Sequence, residues 1–582
     1  MLDFCVLAVP LGIVYVLSAP VGLPEADAGE FAAIGMCGGI AHPPGYPLLC
    51  MLLRLFARLS PWLGVIHALV LLPVLCNCCA AYFLMSALSC FSGSRTFSRT
   101  ATLVIFLSVN VWRAGTIWEP FALNLLCASV VLFATVRLCT GTVSRRAQAW
   151  FFFCIGACFG LGVCNHHSLA LLLPLPCAAL LCNRPVLKIG IPAIVAGFLI
   201  GLIPLSYFFF PQPFQAPIWG DWSEPWKRLA IHILRSEYGT TSLVPQASGH
   251  WYYGPLLFIK NLPESLSIIF LLIAGIGIWH GARNSLLHIK NGQQNHLFSI
   301  FGLVLSFIAT GILFPSLFRF ANNDPLCNMI AGRFFPLPAL FLAFPLKKGL
   351  EAVWNRTGNT KTGMILVVIF LLFHAVYQWP DSSRKNDSIF DNHVRNVFSI
   401  VESNAVLIGS TDQDFSLGFY MRYVLGRKDV VYIQTGISNL PWFRKNLMSL
   451  VGGSSCPQGT IQCIIDSIIR TRPVYVLSLS PSDQDVQGLL KSSYPIGPLI
   501  RLVRDDRPVP TPVDVFRRNE MAFDKTMRSP PVSKLRFINP WDISVCAYYA
   551  RTWQSVGDAL RKQKQNGLAE IAYKRRDVFS SK

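Results

Sequence analysis

The sequence predicts a polytopic α-helical membrane protein with about eleven transmembrane helices, followed by an extracytoplasmic α/β domain that ends in a helical hairpin. Three observations carry this. Of 582 residues, 53% are hydrophobic and only 14% charged, with a mean hydropathy of +0.46; a water-covered surface on so long a chain needs more charge. Apolar runs near the ~20 residues that cross a bilayer recur through the first 380 residues. Beyond residue 381 the pattern changes to short β-branched runs alternating with helical stretches.

The expected spans are 4–23, 62–90, 98–117, 119–138, 149–165, 167–183, 187–210, 264–281, 297–318, 330–346 and 363–379. The first lacks a basic leading region and a small-residue cleavage site, so it is expected to be retained rather than cleaved. With the N-terminus in the cytoplasm, the even-numbered loops carry Arg95, Arg145, Arg146, Arg184, Lys188, Arg283, Lys290, Lys347, Lys348, Arg356 and Lys361 against the single acid Glu351. The opposite loops hold Asp27, Glu30, Glu119, Asp221, Glu224, Glu237, Glu264 and Asp324. Cytoplasmic loops collect Lys and Arg. The asymmetry therefore puts residues 25–47, the loop 211–263 and everything after 380 outside. Residues 48–59 are too short to span. Arg54 and Arg58, four apart on an apolar helix, suit an interfacial helix, the alternative being an extension of the second span.

In the tail, Ala405–Ser410, Asp429–Gln434 and Pro473–Leu479 read as strands, with helices at 414–425, near 440–450 and at 460–470. That order suggests a mainly parallel sheet. The expected divisions are 1–380 for the membrane domain, 381–504 for the α/β domain, 505–541 for a linker or extended arm rich in Pro and charge, and 542–582 for a hairpin broken at Asn566-Gly567. Most of the 18 cysteines sit in apolar segments, where they behave as small hydrophobes. Cys76-Asn-Cys-Cys79 is mid-helix with no partner cluster, so no metal site is expected there. A Cys456–Cys463 bridge is open to the tail. Net charge is +20, about +11 before residue 381 and +9 after it. No single basic tail accounts for it, and nucleic acid is not an expected partner.

Chemistry concentrates after the first span. Glu25, Asp27 and Glu30 are three of the eleven carboxylates before residue 381, and acids beside a membrane are costly unless paired, hydrated or used. Asp27 and Glu30 are three apart, so on a helix they share a face. One carboxylate can take a proton while the other positions a hydroxyl or tunes its neighbour. His42-Pro-Pro-Gly-Tyr46-Pro47 is stiff and holds a histidine and a tyrosine at little entropic cost.

Further along, Trp118-Glu119-Pro120 and Asn124 stand where the chain re-enters the membrane. His166 and His167 mark another outer turn, as contacts for phosphate or sugar or as a solvated helix end. Trp219-Gly-Asp221-Trp222 precedes His232, Arg235 and Tyr238, which are three apart and form one polar, aromatic face suited to a sugar; the alternative is an interfacial helix with Trp anchors. Arg319 and Arg333 flank the loop Phe318–Pro325 and, with Arg113, are candidates for a lipid-linked phosphate. No Walker loop, GxGxxG after a strand, GxSxG or paired CxxC occurs, so nucleotide-driven chemistry is unsupported. An outward site needs a substrate already activated there, such as a sugar on a polyprenyl phosphate.

Asp27-Ala-Gly-Glu30 followed by Gly39-Ile-Ala-His-Pro-Pro-Gly-Tyr-Pro-Leu48 resembles the signature of a family of polytopic membrane proteins long treated as a domain of unknown function. The family includes the eukaryotic transmembrane O-mannosyltransferase acting on plexin-type receptor domains, and its members look like GT-C glycosyltransferases. The likeness continues through Glu119…Asn124, Gly160-Leu-Gly-Val-Cys-Asn-His166, Trp219-Gly-Asp221, His232…Arg235…Tyr238 and Gly426-Arg-Lys-Asp-Val430, and covers most of residues 1–440. It implies a GT-C-like membrane domain and an outward-facing inverting transferase that moves a sugar, mannose by this likeness, from a polyprenyl-phosphate donor to an acceptor hydroxyl. The base of such enzymes maps to Asp27, with Glu30 as the alternative.

Gly-Arg-Lys-Asp-Val stands where Arg-Pro-Asp-Val is commoner, and the tail holds one repeat-like hairpin where longer relatives hold several. Acceptor choice, a protein Ser or Thr or a glycan, is therefore the least transferable part. No tightly bound cofactor is expected, and dependence on a divalent metal is left open. A transporter or lipid-linked-sugar flippase is the competing reading, although the polar groups gather on one face and no repeated half is visible. A membrane scaffold is a third, which leaves the Asp27 region without a role. The short tail and the absence of a retention signal favour a bacterial inner membrane with a periplasmic site over the endoplasmic reticulum with a lumenal one.

Overall fold

The computed structural model describes residues 2–91, 94–141, 143–183, 187–213, 216–238, 249–290, 294–319, 325–356, 361–450, 461–479, 488–504, 506–528 and 540–580. Contacts divide the chain into two compact units. The first comprises Met1–Ala19, Ile40–Pro211 and Pro225–Lys385; the second comprises Pro20–Gly39, Gln212–Glu224 and Asn386–Lys582. The composition-based limit near residue 380 thus follows the chain, whereas the compact units gather residues 20–39 and 212–224 with the tail.

The first unit is helical. Among the described residues, seven helices are long and apolar enough to cross a membrane: Val65–Phe91, Pro120–Thr140, Arg145–Val163, Leu187–Phe209, Tyr253–Arg283, Phe298–Leu317 and Ile365–Ser382. An eighth is counted if Pro325–Gly332 and Pro336–Arg356, bent by 63°, form one broken span. This is an integral membrane protein. Among the described residues, length and apolarity alone do not reach the expected number of eleven. The segment expected at 4–23 is the 17-residue helix Leu2–Ser18, which stops before Pro20 because the residue preceding a proline disfavours helix. The segment at 98–117 is broken into Arg95–Phe106 and Val109–Ala114, with Ser108 extended between them. The segment at 167–183 is a 3-10 turn followed by Pro174–Cys182.

Residues 47–57 form a separate helix, cut off from Val65–Phe91 by Gly64 at φ 76°. Leu49, Cys50, Leu53 and Ala57 face inward while Arg54 and Arg58 are exposed. Lys347, expected as a loop cation, is instead buried within Pro336–Arg356, where its Nζ donates to the Leu88 carbonyl at 2.7 Å.

Small residues set the closest helix approach. Gly156 and Gly160 of one helix face Gly197 and Gly201 of another. A Cβ on Gly156, Gly160, Gly197 or Gly201 would lie 2.0, 2.3, 2.1 or 2.3 Å from the carbonyl oxygens of Ile194, Phe198, Phe153 and Ala157. Two such small-xxx-small stripes let backbones touch where lipid offers no hydrophobic drive between helices.

The second unit holds a five-stranded sheet in the order β2-β1-β3-β5-β4: β1 Val406–Gly409, β2 Val431–Gln434, β3 Val474–Val476, β4 Ser493–Ile496 and β5 Leu499–Leu502. The first three strands are parallel, with Val406 opposite both Val431 and Val474. The hairpin β4–β5 adds antiparallel to β3, so the sheet is mixed. Sequence reading missed this hairpin because its strands are short and β4 carries Pro495, which belongs on an edge. Val406, Ile408, Ile433, Ile464, Ile465, Val474 and Val476 form the core.

Within the expected linker, Pro512–Met521 is a helix, started by Pro512 at its first position and by Thr511, whose hydroxyl accepts from Asp514 N. The terminal helices Pro540–Lys562 and Asn566–Phe579 break at residues 563–565, with Lys564 at φ 61°, rather than at Asn566-Gly567. The first of them docks on the helix Ile389–Ile400, where Asn396 donates to the Tyr549 hydroxyl at 2.9 Å. Cys463 is disulfide-bonded; Cys456, its expected partner, lies outside the described residues.

The glycine stripes yield a test. Gly197→Val forces a side chain into the Phe153 carbonyl and should cost about 1–3 kcal/mol, read as a lower melting temperature in detergent. Gly275→Val, where nothing lies within 4 Å of a Cβ, should change stability by less than about 0.5 kcal/mol.

Candidate functional site

The candidate residues divide between the two units. In the second unit, Asp27 is the N-cap of the helix Ala28–Cys37, and Glu30 lies in its first turn. The two acids do not share one environment: Glu30 is 1% exposed while Asp27 is half-buried. Asp27 makes no cap hydrogen bond with its own helix, and its backbone at φ −83°, ψ 1° is not the extended N-cap form. Ala26 before it sits at φ 62°, a left-handed conformation that costs an L-residue roughly 1–2 kcal/mol. Gly29 N donates instead to Ser416 Oγ at 2.8 Å, and Leu23 N donates to the Asp391 carboxylate at 3.2 Å. Trp219 packs against the rings of Phe415 and Trp442. Asp221, exposed, accepts from Ser223 N at 3.0 Å and faces Lys445 at 3.4 Å.

In the first unit, the turn 42–47 places Gly45 at φ 89°, where a Cβ would lie 2.5 Å from the Phe208 ring and 2.8 Å from that of His232. His232 is fully buried, and its Nε2–H donates to the Ala41 carbonyl at 2.9 Å. It therefore supports the turn. Burial lowers its pKa to about 3, so the ring is neutral at ordinary pH. His42 and Tyr46 lie edge to face, with His42 Nε2 3.4 Å from the Tyr46 hydroxyl; Tyr238 meets His42 from another side. His166 stacks on Tyr46 and touches the Phe121 and Phe334 rings. Its Nδ1 lies 2.8 Å from Ser168 Oγ and accepts from Ser168 N. Burial, then His167, Arg235 and Arg333, bring its pKa down to about 3.

Glu119, 7% exposed, accepts a two-pronged bond from Arg333 at 3.1 and 3.0 Å, and the guanidinium lies over the Phe121 ring. Asn124 donates to Ser168 Oγ at 3.0 Å. A small cleft is lined by Phe121, Asn124, Ser168, Thr310, Arg333 and Phe334 among others. Arg235 Nε, His167 Nε2 and Asn124 Oδ1 are enclosed with no hydrogen-bond partner among the described residues.

The structure thus brings His42, Tyr46, His166, His167, Arg235, Tyr238, Glu119, Asn124 and Arg333 into one neighbourhood. Arg113 donates to the Asp381 carbonyl at 2.8 Å. Arg319 is exposed, and much of the loop it borders lies outside the described residues. Sequence reasoning missed Ser168, although its place two residues after His166 is the spacing of a side-chain-to-backbone turn. It also missed Ser416, for which no local signal exists.

Two measurements follow. In a double-mutant cycle, Glu119→Ala and Arg333→Ala should be non-additive by about 0.5–3 kcal/mol, read from melting of the two single variants and the double. For His232, the folded pKa of about 3 lies below the ordinary 6.5. Stability is therefore independent of this group above pH 6.5 and is lost as pH falls below it, by about 1.4 kcal/mol per pH unit, because only the unfolded chain gains the proton. His232→Gln keeps a donor toward Ala41, and its melting temperature should fall less between pH 6.5 and pH 4.5.

Residues 27–186 match the family model described as Protein O-mannosyl-transferase TMEM260 N-terminal domain. Protein O-mannosyl-transferase TMEM260 of Mus musculus is 24% identical over 76% of this chain and 64% of its own length. The Dictyostelium discoideum protein of the same name is 24% identical over 80% of this chain and 62% of its own. The chain thus spans less than two thirds of the length of these relatives. Among solved structures, ArnT from Cupriavidus metallidurans in the apo state is 12% identical, covering 84% of this chain and 95% of its own, with a TM-score of 0.49. The Archaeoglobus fulgidus oligosaccharyltransferase is 10% identical over 98% and 85%, with a TM-score of 0.47. Likenesses of this strength do not define a shared fold. The family resemblance that opens at Asp27-Ala-Gly-Glu30 is to the N-terminal domain of protein O-mannosyl-transferase TMEM260, which residues 27–186 of this chain match.

Proposed function

We propose that this protein is an inverting GT-C glycosyltransferase that moves a sugar, mannose by its relatives' names, from a polyprenyl-phosphate donor to a Ser or Thr hydroxyl of an acceptor protein on the outer side of the membrane. The observation that carries the reading is the state of Asp27. It opens the stretch matched to the O-mannosyl-transferase domain, is half-buried, and makes no cap bond with the helix it begins. In the mechanism, the Asp27 carboxylate takes the hydroxyl proton as the acceptor oxygen attacks the anomeric carbon. The bond to the phosphate oxygen breaks, and the phosphate leaves with the electron pair. Arg235, Arg333 and the neutral histidines 166 and 167 would meet the leaving charge. His42, Tyr46 and Tyr238 supply ring faces and hydroxyls for the sugar, while Trp219 and Asp221 serve the acceptor. The disulfide at Cys463 supports placing the tail in an oxidising compartment. The eukaryotic relatives favour the endoplasmic reticulum lumen over a periplasm.

The test uses the full chain in detergent with tritiated polyprenyl-phosphate mannose and a plexin-type receptor domain as acceptor. Asp27→Asn, inserted normally, should lose transfer by roughly a hundredfold or more. Near-normal transfer by that variant sinks the assignment of the base. Uptake of the labelled lipid into vesicles without its turnover would favour the transporter reading.

A further inference from the structure

The first turn of a helix holds N–H groups with no acceptor in the helix itself. An aspartate at the N-cap ordinarily offers its carboxylate to the second or third of them. The helix Ala28–Cys37 does otherwise. Its N-cap Asp27 makes no such bond and keeps ψ at 1° rather than extended. The N–H of Gly29, the second helical residue, goes to Ser416 Oγ at 2.8 Å. Ser416 is fully buried on the helix Asp412–Phe419 of the same unit, 387 residues away in sequence. The approach needs glycine: a Cβ at residue 29 would lie 2.3 Å from the Ser416 carbonyl oxygen and 2.5 Å from its hydroxyl. Ala26 at φ 62° shows that the turn into Asp27 is not the backbone's own preference.

We propose that Ser416 is a positioning residue for Asp27, capping the helix from outside so that the Asp27 carboxylate is kept out of the cap. The inference rests on the reading of Asp27 as the base. Without the Ser416 hydroxyl, the Gly29 N–H is left buried without an acceptor, a state the fold relieves if residues 26–27 relax to the extended N-cap form. Asp27 then accepts from Gly29 N or Glu30 N. That movement takes the base from its working position, and the new hydrogen bonds favour its charged form, which makes it a weaker proton acceptor.

Ser416→Ala in the full chain, assayed with tritiated polyprenyl-phosphate mannose and a plexin-type receptor domain, should lower kcat by about tenfold to a hundredfold. KM for donor and acceptor should stay within about twofold, because no binding group is touched. The acid limb of the kcat–pH profile should move to lower pH. Ser416→Thr keeps the hydroxyl and should recover most of the rate. Ser416→Cys, of similar shape but a weak acceptor, should shift the acid limb in the same direction by less. Melting supplies a readout free of activity: the loss caused by Ser416→Ala should be larger in an Asp27→Ala background, where no carboxylate can take over the cap. Equal losses in the two backgrounds overturn the proposal. So does a wild-type kcat and pH profile for Ser416→Ala beside an inactive Asp27→Asn. An active Asp27→Asn is a different result and overturns the base assignment on which this inference stands.

Discussion

The stretch 20–39 must bury its backbone without a sheet or long helix to satisfy it, and it does so on side chains far away in sequence. Leu23 N finds the Asp391 carboxylate, Gly29 N finds the Ser416 hydroxyl, and Gly39 N finds the Gln212 side-chain carbonyl at 3.0 Å. A buried N–H left unpaired costs about as much as a lost hydrogen bond, so these acceptors fix where the segment lies. Close approach reinforces them: Gly22 lies against Asp391, and Gly39, at φ 124°, against the Pro217 carbonyl. Asp391 is itself held by Arg395 at 2.7 Å. The acidic stretch therefore belongs energetically to the second unit, although in sequence it follows the first apolar helix.

The first unit solves a different problem, which is to keep polar groups inside an apolar bundle. Two of its histidines are kept uncharged: burial lowers both His166 and His232 to about 3. They act as neutral donors and acceptors rather than as cations. Formal charge in the cluster comes from Arg235 and Arg333, opposed by Glu119, which Arg333 grips with two bonds. The Nε of Arg235 is enclosed without an acceptor among the described residues. Arginines, neutral imidazoles and aromatic rings in one neighbourhood are the groups that the proposed phosphate-binding role calls on.

Periodicity and composition made much of this legible. The parallel strands at 406–409, 431–434 and 474–476 lie inside runs read as strands, because β-branched runs between turn residues are a local signal. Tyr46 in a stiff Pro-Gly turn, His166 at an outer turn and Arg333 beside an outer loop each stand out separately in the sequence, and the fold gathers them. What stayed hidden was non-local. The breaks at Ser108 and Pro174 interrupt apolar runs that hydropathy reads as continuous, since apolarity does not report backbone direction. Ser416 is an ordinary buried serine until Gly29 is laid against it. The joining of Trp219 and Asp221 to the tail, with His232, Arg235 and Tyr238 in the other unit, cannot be read from a loop that looks uniform.

The same physics separates the two acids that spacing alone left equal. Three residues apart on a helix, Asp27 and Glu30 would face one way. The helix begins only at Ala28, so the relation fails: Asp27 stands outside the helical turn and Glu30 inside it. Glu30 is enclosed at 1% exposure, and an acceptor hydroxyl cannot reach it unless the helix moves. Asp27 remains partly open, on a backbone held in a conformation that neither Ala26 nor a capping aspartate would choose unaided. Strain of that kind persists only where the surroundings over-determine it; on either side of Ala26 and Asp27 the chain is held at Leu23 N by Asp391 and at Gly29 N by Ser416. A general base has to meet its proton donor within hydrogen-bonding reach before its basicity matters, and the greater exposure of Asp27 is what favours it over Glu30 in the proposed mechanism.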